Sequence, residues 1–217
     1  MDQRMGLRDR KKERTRETIA ATAIRLFLDK GFDRVSITEI AEAAEISRRT
    51  LFAYFATKED LVLHRFADHE SEAARTVRAR PAGQPPLEAL RVAAVDALTH
   101  RDANTGLCDD PEVMAFFRMI LDTESLAARL TRYLARGIDA LAQALREADV
   151  DPLAARLVAA QVIVVQGELA GMNQEALAGG ESADDRYPEA VRAAERAFSL
   201  LRDGLGRPPQ EQPAAGR

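Results

Sequence analysis

Apolar residues recur at spacings of three and four along most of the chain, which is the period of an amphipathic α-helix. Short polar, glycine or proline breaks separate these segments, and they read KGFDR, AEIS, ATKED, RPAGQPP, DANTGLCDDPE, EADVDP and GGESADDRYP. The β-branched run from Val162 to Val165 lies inside such a segment, so we expect helix there too. The pattern predicts an all-α fold of about nine helices.

Four helix starts and stops near the N-terminus are marked by individual residues. Gly31 follows an apolar stripe and suits the left-handed residue that ends a helix. Ser36, with Glu39 three residues later, predicts a capping box, and Ser47 and Thr57 are the next N-cap candidates. The spacing between Ser36 and Ser47 leaves room only for a two-turn helix and a tight turn.

Arg48 and Arg49 directly follow the predicted cap at Ser47, where the helix dipole disfavours positive charge. A short helix, a tight turn and a second helix that begins with exposed arginines form the layout of a DNA-binding helix-turn-helix. In the major groove, either arginine would donate two hydrogen bonds to guanine O6 and N7. The alternative is that both are solvated surface charges.

Charge is distributed unevenly along the 217 residues. The formal net charge is −4, but residues 1–65 hold 14 Lys and Arg against 11 Asp and Glu, and the remainder holds 17 against 24. This asymmetry indicates an N-terminal part that meets an anion. The single cysteine, Cys108, excludes an intramolecular disulfide and fits a reducing cytosol. We expect a cytoplasmic protein with no signal peptide and no membrane segment, because polar residues interrupt the most apolar stretch.

The segments IAATAIRLFLDKGFDRVS and ITEIAEAAEISRRTLFAYFATKEDL resemble the DNA-binding unit of the TetR family of bacterial repressors. The resemblance covers about Thr15 to Leu61 and implies that Ser47 to Phe55 is the recognition helix. It also implies that Ser36, Tyr54 and Lys58 approach DNA phosphates, contacts that fix register without selecting sequence. The predicted DNA-binding residues are Ser36, Ser47, Arg48, Arg49, Thr50, Tyr54 and Lys58.

Three positions depart from the family's pattern. Glu45 stands where the family has a turn glycine, and it would cost about 1 to 2 kcal/mol if its backbone is left-handed. Arg48 replaces another common glycine, and Phe52 stands where tyrosine is common. We predict that Leu51, Phe52 and Phe55 belong to the core of the three-helix unit. The basic residues before the first apolar stripe either contact the DNA backbone or form a solubilising tail, and they are Lys11, Lys12, Arg14 and Arg16.

The predicted domains are residues 1–61 for DNA binding, with a basic N-terminal arm, residues 62–205 for ligand binding and dimerisation, and a disordered tail at 206–217. Residues 81–86, rich in proline, are the predicted hinge. Later helices are predicted near 87–100, 111–121, 124–148, 152–177 and 188–204. The prolines at 111, 152 and 188 suit first helical turns.

No catalytic constellation or phosphate-binding loop is evident after residue 87. His64 and His69 are five apart on one predicted helix and do not share a face, so we expect no metal site. Cys108 precedes two aspartates that disfavour a reactive thiolate. We therefore predict neither enzymatic activity nor a cofactor.

By the family resemblance, the C-terminal helices bind a small effector and form a homodimer. Candidate effector contacts are Phe116, Phe117, Ile120, Gln161, Val165 and Glu168. Gln161 and Glu168 are alternatively surface groups, and Gly167 and Gly171 either admit a second helix or mark a kink. A faint resemblance to an actinobacterial acyl-CoA-responsive branch implies an acyl-CoA-like or otherwise hydrophobic effector.

The leading hypothesis is a ligand-responsive, dimeric transcriptional repressor. It would bind an inverted-repeat operator in double-stranded DNA and be released by a small apolar or amphipathic effector. An architectural DNA-binding protein without an effector is the first alternative, and the large acidic C-terminal body argues against it. A helical enzyme is the second, and the absence of a clustered acid, base or nucleophile argues against it.

Overall fold

The computed structural model describes residues 7–204, in which every regular element is a helix. The ten α-helices are α1 (Leu7–Lys30), α2 (Ile37–Ala43), α3 (Arg48–Tyr54), α4 (Lys58–His69), α5 (Glu72–Ala79), α6 (Pro86–Thr99), α7 (Pro111–Asp122), α8 (Glu124–Glu147), α9 (Pro152–Ala178) and α10 (Ala183–Asp203), with a 3-10 helix at Ala103–Thr105. The predicted all-α fold is confirmed, and α5 is the helix that the predicted count of nine omitted. The predicted disordered tail lies outside the described residues.

The described chain forms two compact units. Unit 1 comprises the residues up to Glu70 together with Asp110–Ala135, and unit 2 comprises Ser71–Asp109 and the residues from Arg136 onward. Helix α8 contributes residues to both. The predicted hinge at residues 81–86 connects α5 to α6 inside unit 2, so it does not coincide with the division between the units.

The core of unit 1 is built by the apolar stripe of α1 and the short helices that follow it. Phe27 and Phe32 pack with ring centroids 4.9 Å apart on either side of Gly31, whose φ of +89° is the left-handed conformation predicted for it. Side chains of α7 and α8 complete this core. Its largest buried members include Ile19, Phe27, Ile40, Leu51, Phe55, Leu61, Phe116, Ile120 and Leu126.

All three predicted N-caps of the short helices are present. The Ser36 hydroxyl accepts a hydrogen bond from the Glu39 amide at 3.1 Å, and the Glu39 carboxylate accepts from the Ser36 amide at 3.0 Å, which completes the capping box. Ser47 caps α3 and Thr57 caps α4. These caps satisfy amides that have no partner within the helix, so they fix where α2, α3 and α4 begin.

The turn between α2 and α3 keeps its left-handed residue although that residue is not glycine. Glu45 has φ of +55°. Its amide donates to the Glu42 carbonyl at 3.0 Å, and the Ile46 amide donates to the Ala41 carbonyl at 2.9 Å. These two bonds are those of a Schellman motif, and Glu45 occupies the position at which glycine is favoured.

In unit 2, α10 packs against α6 and α9, and α9 also contacts the 3-10 helix. Gly106 ends the 3-10 helix at φ +69°, and a Cβ there would lie 2.1 Å from the Ala170 carbonyl oxygen. The close approach of Gly106 to Ala170 therefore requires a residue without a side chain at position 106. The buried Asn173 amide donates to the Thr105 carbonyl at 2.9 Å, and its oxygen accepts from Arg186 at 3.2 Å.

Helix α10 begins earlier than predicted. Pro188 lies inside the helix rather than in its first turn, so that prediction is wrong. The Ser182 hydroxyl accepts from the Asp185 amide at 3.1 Å, and Asp184 and Asp185 place negative charge in the first turn. A serine cap followed by two carboxylates is a stronger start signal than a proline six residues after the cap.

Candidate functional site

The first turn of α3 presents two positively charged side chains to solvent. Arg48 and Arg49 are exposed, and within the described residues neither guanidinium forms an ion pair. The Ser47 hydroxyl accepts from the Thr50 amide at 3.0 Å and lies 2.8 Å from the Thr50 hydroxyl. The cap therefore holds the helix start while both arginine head groups stay free for a partner.

Phe52 is not a core residue, contrary to the sequence-based prediction. Its side chain is 46% exposed, whereas Leu51 and Phe55 are fully buried. Leu51 is the buried residue of α3, a helix of only seven residues, and Phe55 is the C-cap that follows it. A helix this short buries one face, and Phe52 lies on the other. Aromatic character alone gave no signal for this placement.

The three residues predicted to contact phosphates have different surroundings. Ser36 is exposed, but its hydroxyl caps α2. Tyr54 is half-buried and packs against the core of unit 1. Lys58 is half-buried, and its ammonium donates a hydrogen bond to the Phe32 carbonyl.

Lys58 also contacts two aromatic rings. Its Nζ lies 4.4 Å from the centroid of Phe32 and 5.5 Å from that of Phe27, which are cation–π distances. Burial lowers the pKa of the Lys58 ammonium, while the negative charges of Asp33 and Glu59 act in the opposite direction. The ammonium thus joins the first residues of α4 to the end of α1.

The basic residues at the N-terminal end lie on a helix. Lys11, Lys12 and Arg14 are exposed on α1, which extends from residue 7. Arg16 stacks over the ring of Phe55, with its guanidinium carbon 5.0 Å from the ring centroid. Arg16 therefore contacts the C-terminal end of α3, and the three exposed cations occupy helix surface.

The candidate effector residues fall into two groups, one in each unit. Phe116 and Ile120 are buried in unit 1, and the rings of Phe116 and Phe117 pack against Phe66 at centroid distances of 6.4 and 6.1 Å. In unit 2, Gln161 and Glu168 are exposed and Val165 is half-buried on α9. Effector contact stays a prediction for both groups.

Helix α9 exposes an apolar face. Leu153, Leu157 and Val164, at spacings of four and seven residues, are 69%, 52% and 56% exposed. An open groove beside this face is lined by Ala160, Gln161, Val164, Val165, Ala197, Leu200, Leu201 and Gly204. By length and composition alone, α9 is also the one described helix that could cross a membrane.

In the described part of the chain, no three His, Cys, Asp or Glu side chains are grouped as metal ligands. Cys108 is half-buried and its thiol is free. The candidate site is the α3 surface, which displays two free guanidinium groups and an aromatic ring.

The segment that contains α3 is similar to known regulatory proteins. Residues 19–64 match the sequence profile described as "Bacterial regulatory proteins, tetR family". The HTH-type transcriptional regulator TcmR of Streptomyces glaucescens is 35% identical over 128 residues, which are 58% of this chain and 57% of that protein. This chain thus spans little more than half the length of that curated relative.

Solved structures share the fold over nearly the whole chain. The TetR-family repressor FadR of Thermus thermophilus, crystallised with lauroyl-CoA, is 25% identical, with 93% of this chain and 100% of that chain covered and a TM-score of 0.50. NalD of Pseudomonas aeruginosa, the secondary repressor of the MexAB-OprM efflux pump, is 18% identical, with 86% and 97% covered and a TM-score of 0.53. The three proteins are named as regulators or repressors and none as an enzyme. Residues 19–64 are therefore similar to the N-terminal domain of the TetR family of bacterial regulatory proteins.

Proposed function

We propose that the protein is a cytoplasmic, dimeric transcriptional repressor that binds an inverted-repeat operator and is released by a small apolar or amphipathic effector. The observation that carries the proposal is the surface of α3. Arg48 and Arg49 are exposed and free of ion pairs among the described residues, at the start of a capped helix in a TetR-type domain. Free guanidinium groups at that position suit guanine in the major groove.

Phosphate contacts would hold this helix in register. Lys11, Lys12 and Arg14 offer exposed positive charge on α1. The Tyr54 hydroxyl and the Lys58 ammonium are the other proposed contacts, although Lys58 must give up its hydrogen bond to the Phe32 carbonyl to reach a phosphate. Such contacts strengthen binding to every sequence and weaken as salt is raised.

The apolar face of α9 supports the dimer. A monomer that exposes Leu153, Leu157 and Val164 in one stripe leaves a continuous apolar surface in water. Gly167 and Gly171 lie on the same helix, and a Cβ at either position would meet nothing within 4 Å. A second copy of α9 and α10 would cover this surface, as helices do in a four-helix bundle. A two-fold dimer would then require an inverted-repeat operator, with half-sites about one helical turn or a multiple apart.

Sedimentation equilibrium tests the dimer. We expect the wild-type protein to be dimeric at micromolar concentration and Leu157→Glu to be monomeric, because the charge would be buried in the interface. Val92→Glu is the matched control, since Val92 is 46% exposed but lies on α6 and not on α9. A monomeric wild type, or partition of the protein into phosphatidylcholine vesicles, would contradict the assignment of this face to a second copy.

The effector is proposed to be an acyl-CoA or a similarly amphipathic molecule. The T. thermophilus relative was crystallised with lauroyl-CoA, which makes that compound the first probe. The predicted contacts form two separate candidate groups, Phe116, Phe117 and Ile120 in unit 1 and Gln161, Val165 and Glu168 in unit 2. Apolar side chains with a few polar groups suit an acyl chain with a polar head.

Selection of bound duplexes from a random pool, followed by titration with lauroyl-CoA, tests the proposed function. We expect an enriched inverted repeat and its release by lauroyl-CoA but not by free coenzyme A, which lacks the apolar chain. Enrichment of no sequence would favour an architectural DNA-binding protein. An enriched repeat that lauroyl-CoA does not release would refute the acyl-CoA effector and leave the DNA-binding role intact.

A further inference from the structure

Phe52 is an aromatic side chain in water on the outer face of the DNA-binding domain. It is 46% exposed, although Leu51 beside it and Phe55 are fully buried. Among the phenylalanines that the structure describes, Phe52 alone has a largely exposed side chain. Burial of this ring against a partner would recover apolar contact that the free protein lacks.

The neighbours of Phe52 define the charge of that partner. Arg48 and Arg49 precede it by four and three residues on the same helix, so all three side chains share one face. Helix α3 has no acidic residue in its first turn, and neither arginine is ion-paired in the described part of the chain. The face therefore fits a polyanion that also displays an apolar group.

Duplex DNA has both features in its major groove. The phosphates supply the charge, and the 5-methyl group of thymine is the apolar group that the base edges display there. A phenylalanine ring has no hydrogen-bonding atom, in contrast to a tyrosine, so it cannot bind the polar base edges. It can pack only on a methyl group or on another apolar surface.

We propose that Phe52 is a specificity-determining residue that packs on the 5-methyl group of a thymine in each half-site. This inference rests on the proposed DNA-binding function. Arg48 or Arg49 then selects a guanine by hydrogen bonds, and Phe52 selects a nearby thymine by apolar contact. The two selections come from one face of one helix, so the two bases lie close together in the half-site.

Replacement of thymine by uracil removes only the methyl group and tests this contact directly. Full-length wild type and Phe52→Ala are titrated with the duplex recovered by selection and with duplexes that carry uracil at one symmetric thymine pair at a time. We expect one pair at which uracil weakens wild-type binding about fourfold per methyl group, or about 15-fold for both. Phe52→Ala should bind the thymine and uracil duplexes equally, and Phe52→Leu should keep part of the difference.

Leu121→Ala is the matched control, because Leu121 is 58% exposed in the same unit but lies on α7. It should keep the full wild-type preference for thymine. The inference is overturned if wild type binds every uracil duplex as tightly as the thymine duplex, or if Phe52→Ala keeps the same preference. Sequence-specific binding without methyl dependence would refute the role of Phe52 alone, whereas failure to recover any specific duplex would refute the proposed function and this role with it.

Discussion

The carboxylate of Asp60 joins the cap of α4 to Arg129 of α8. Arg129 donates from Nε and Nη2 to Asp60 Oδ1 at 3.0 and 2.6 Å, and the Thr57 amide donates to Asp60 Oδ2 at 3.1 Å. The two side chains are 15% and 29% exposed. Both oxygens of one carboxylate are therefore used, one to start α4 and the other to hold α8 beside it.

Arg129→Ala should lower the free energy of unfolding by about 1 to 3 kcal/mol, because it leaves a largely buried carboxylate without its charged donors. Urea denaturation followed by circular dichroism measures the change. Arg132→Ala is the control: Arg132 is exposed on the same helix, and its replacement should change stability by less than about 0.5 kcal/mol. Equal effects of the two substitutions would show that the pair with Asp60 does not stabilise the fold.

Glu45→Gly should raise the free energy of unfolding by about 1 kcal/mol, since a left-handed backbone costs a residue with a Cβ and costs glycine little. Glu42→Gly, inside α2, should lower it by a similar amount because glycine is a poor helix former. The same denaturation experiment compares the two. A loss of stability in Glu45→Gly would mean that the Glu45 side chain contributes more than its backbone conformation costs.

Gly106→Ala should be the more damaging of two glycine substitutions. Gly83 and Gly106 both have positive φ, so alanine at either should cost about 1 to 2 kcal/mol. Only at Gly106 would the new Cβ also meet a backbone atom, the Ala170 carbonyl oxygen at 2.1 Å. Thermal unfolding of both variants separates conformational strain from this clash, and equal melting temperatures would contradict the close approach.

Much of the DNA-binding domain was predictable because short-range chemistry determines it. Ser36, Ser47 and Thr57 cap helices in sequence-local contacts, and each does so as predicted. The left-handed Gly31 is similarly fixed by its immediate neighbours.

What the sequence did not reveal depends on residues distant along the chain. Lys58 meets Phe32, 26 residues away, and Asp60 meets Arg129, 69 residues away. The apolar character of Phe52 predicts a core position, but which face of α3 is buried depends on the packing of the other helices. Pro188 indicates a helix start by its residue type, whereas the cap at Ser182 begins α10 before it.

Lys58→Ala should affect stability and DNA binding separately. Loss of the hydrogen bond to Phe32 and of the cation–π contacts should lower the free energy of unfolding by about 1 to 2 kcal/mol. Loss of one phosphate contact should weaken binding to all sequences alike and reduce the salt slope of log K by about one unit. Fluorescence anisotropy at several salt concentrations measures that slope. An unchanged slope with lower stability would make Lys58 a purely structural residue.

The central claim is that the arginines at the start of α3 recognise bases, and binding by Arg49→Ala tests it most directly. Wild type, Arg48→Ala and Arg49→Ala are titrated with the selected operator and with a scrambled duplex at one salt concentration. We predict that Arg49→Ala loses about 1 to 3 kcal/mol per half-site on the operator and much less on the scrambled duplex, with Arg48 as the alternative base contact. Equal losses on both duplexes for both variants would contradict base recognition and reduce the two arginines to phosphate contacts.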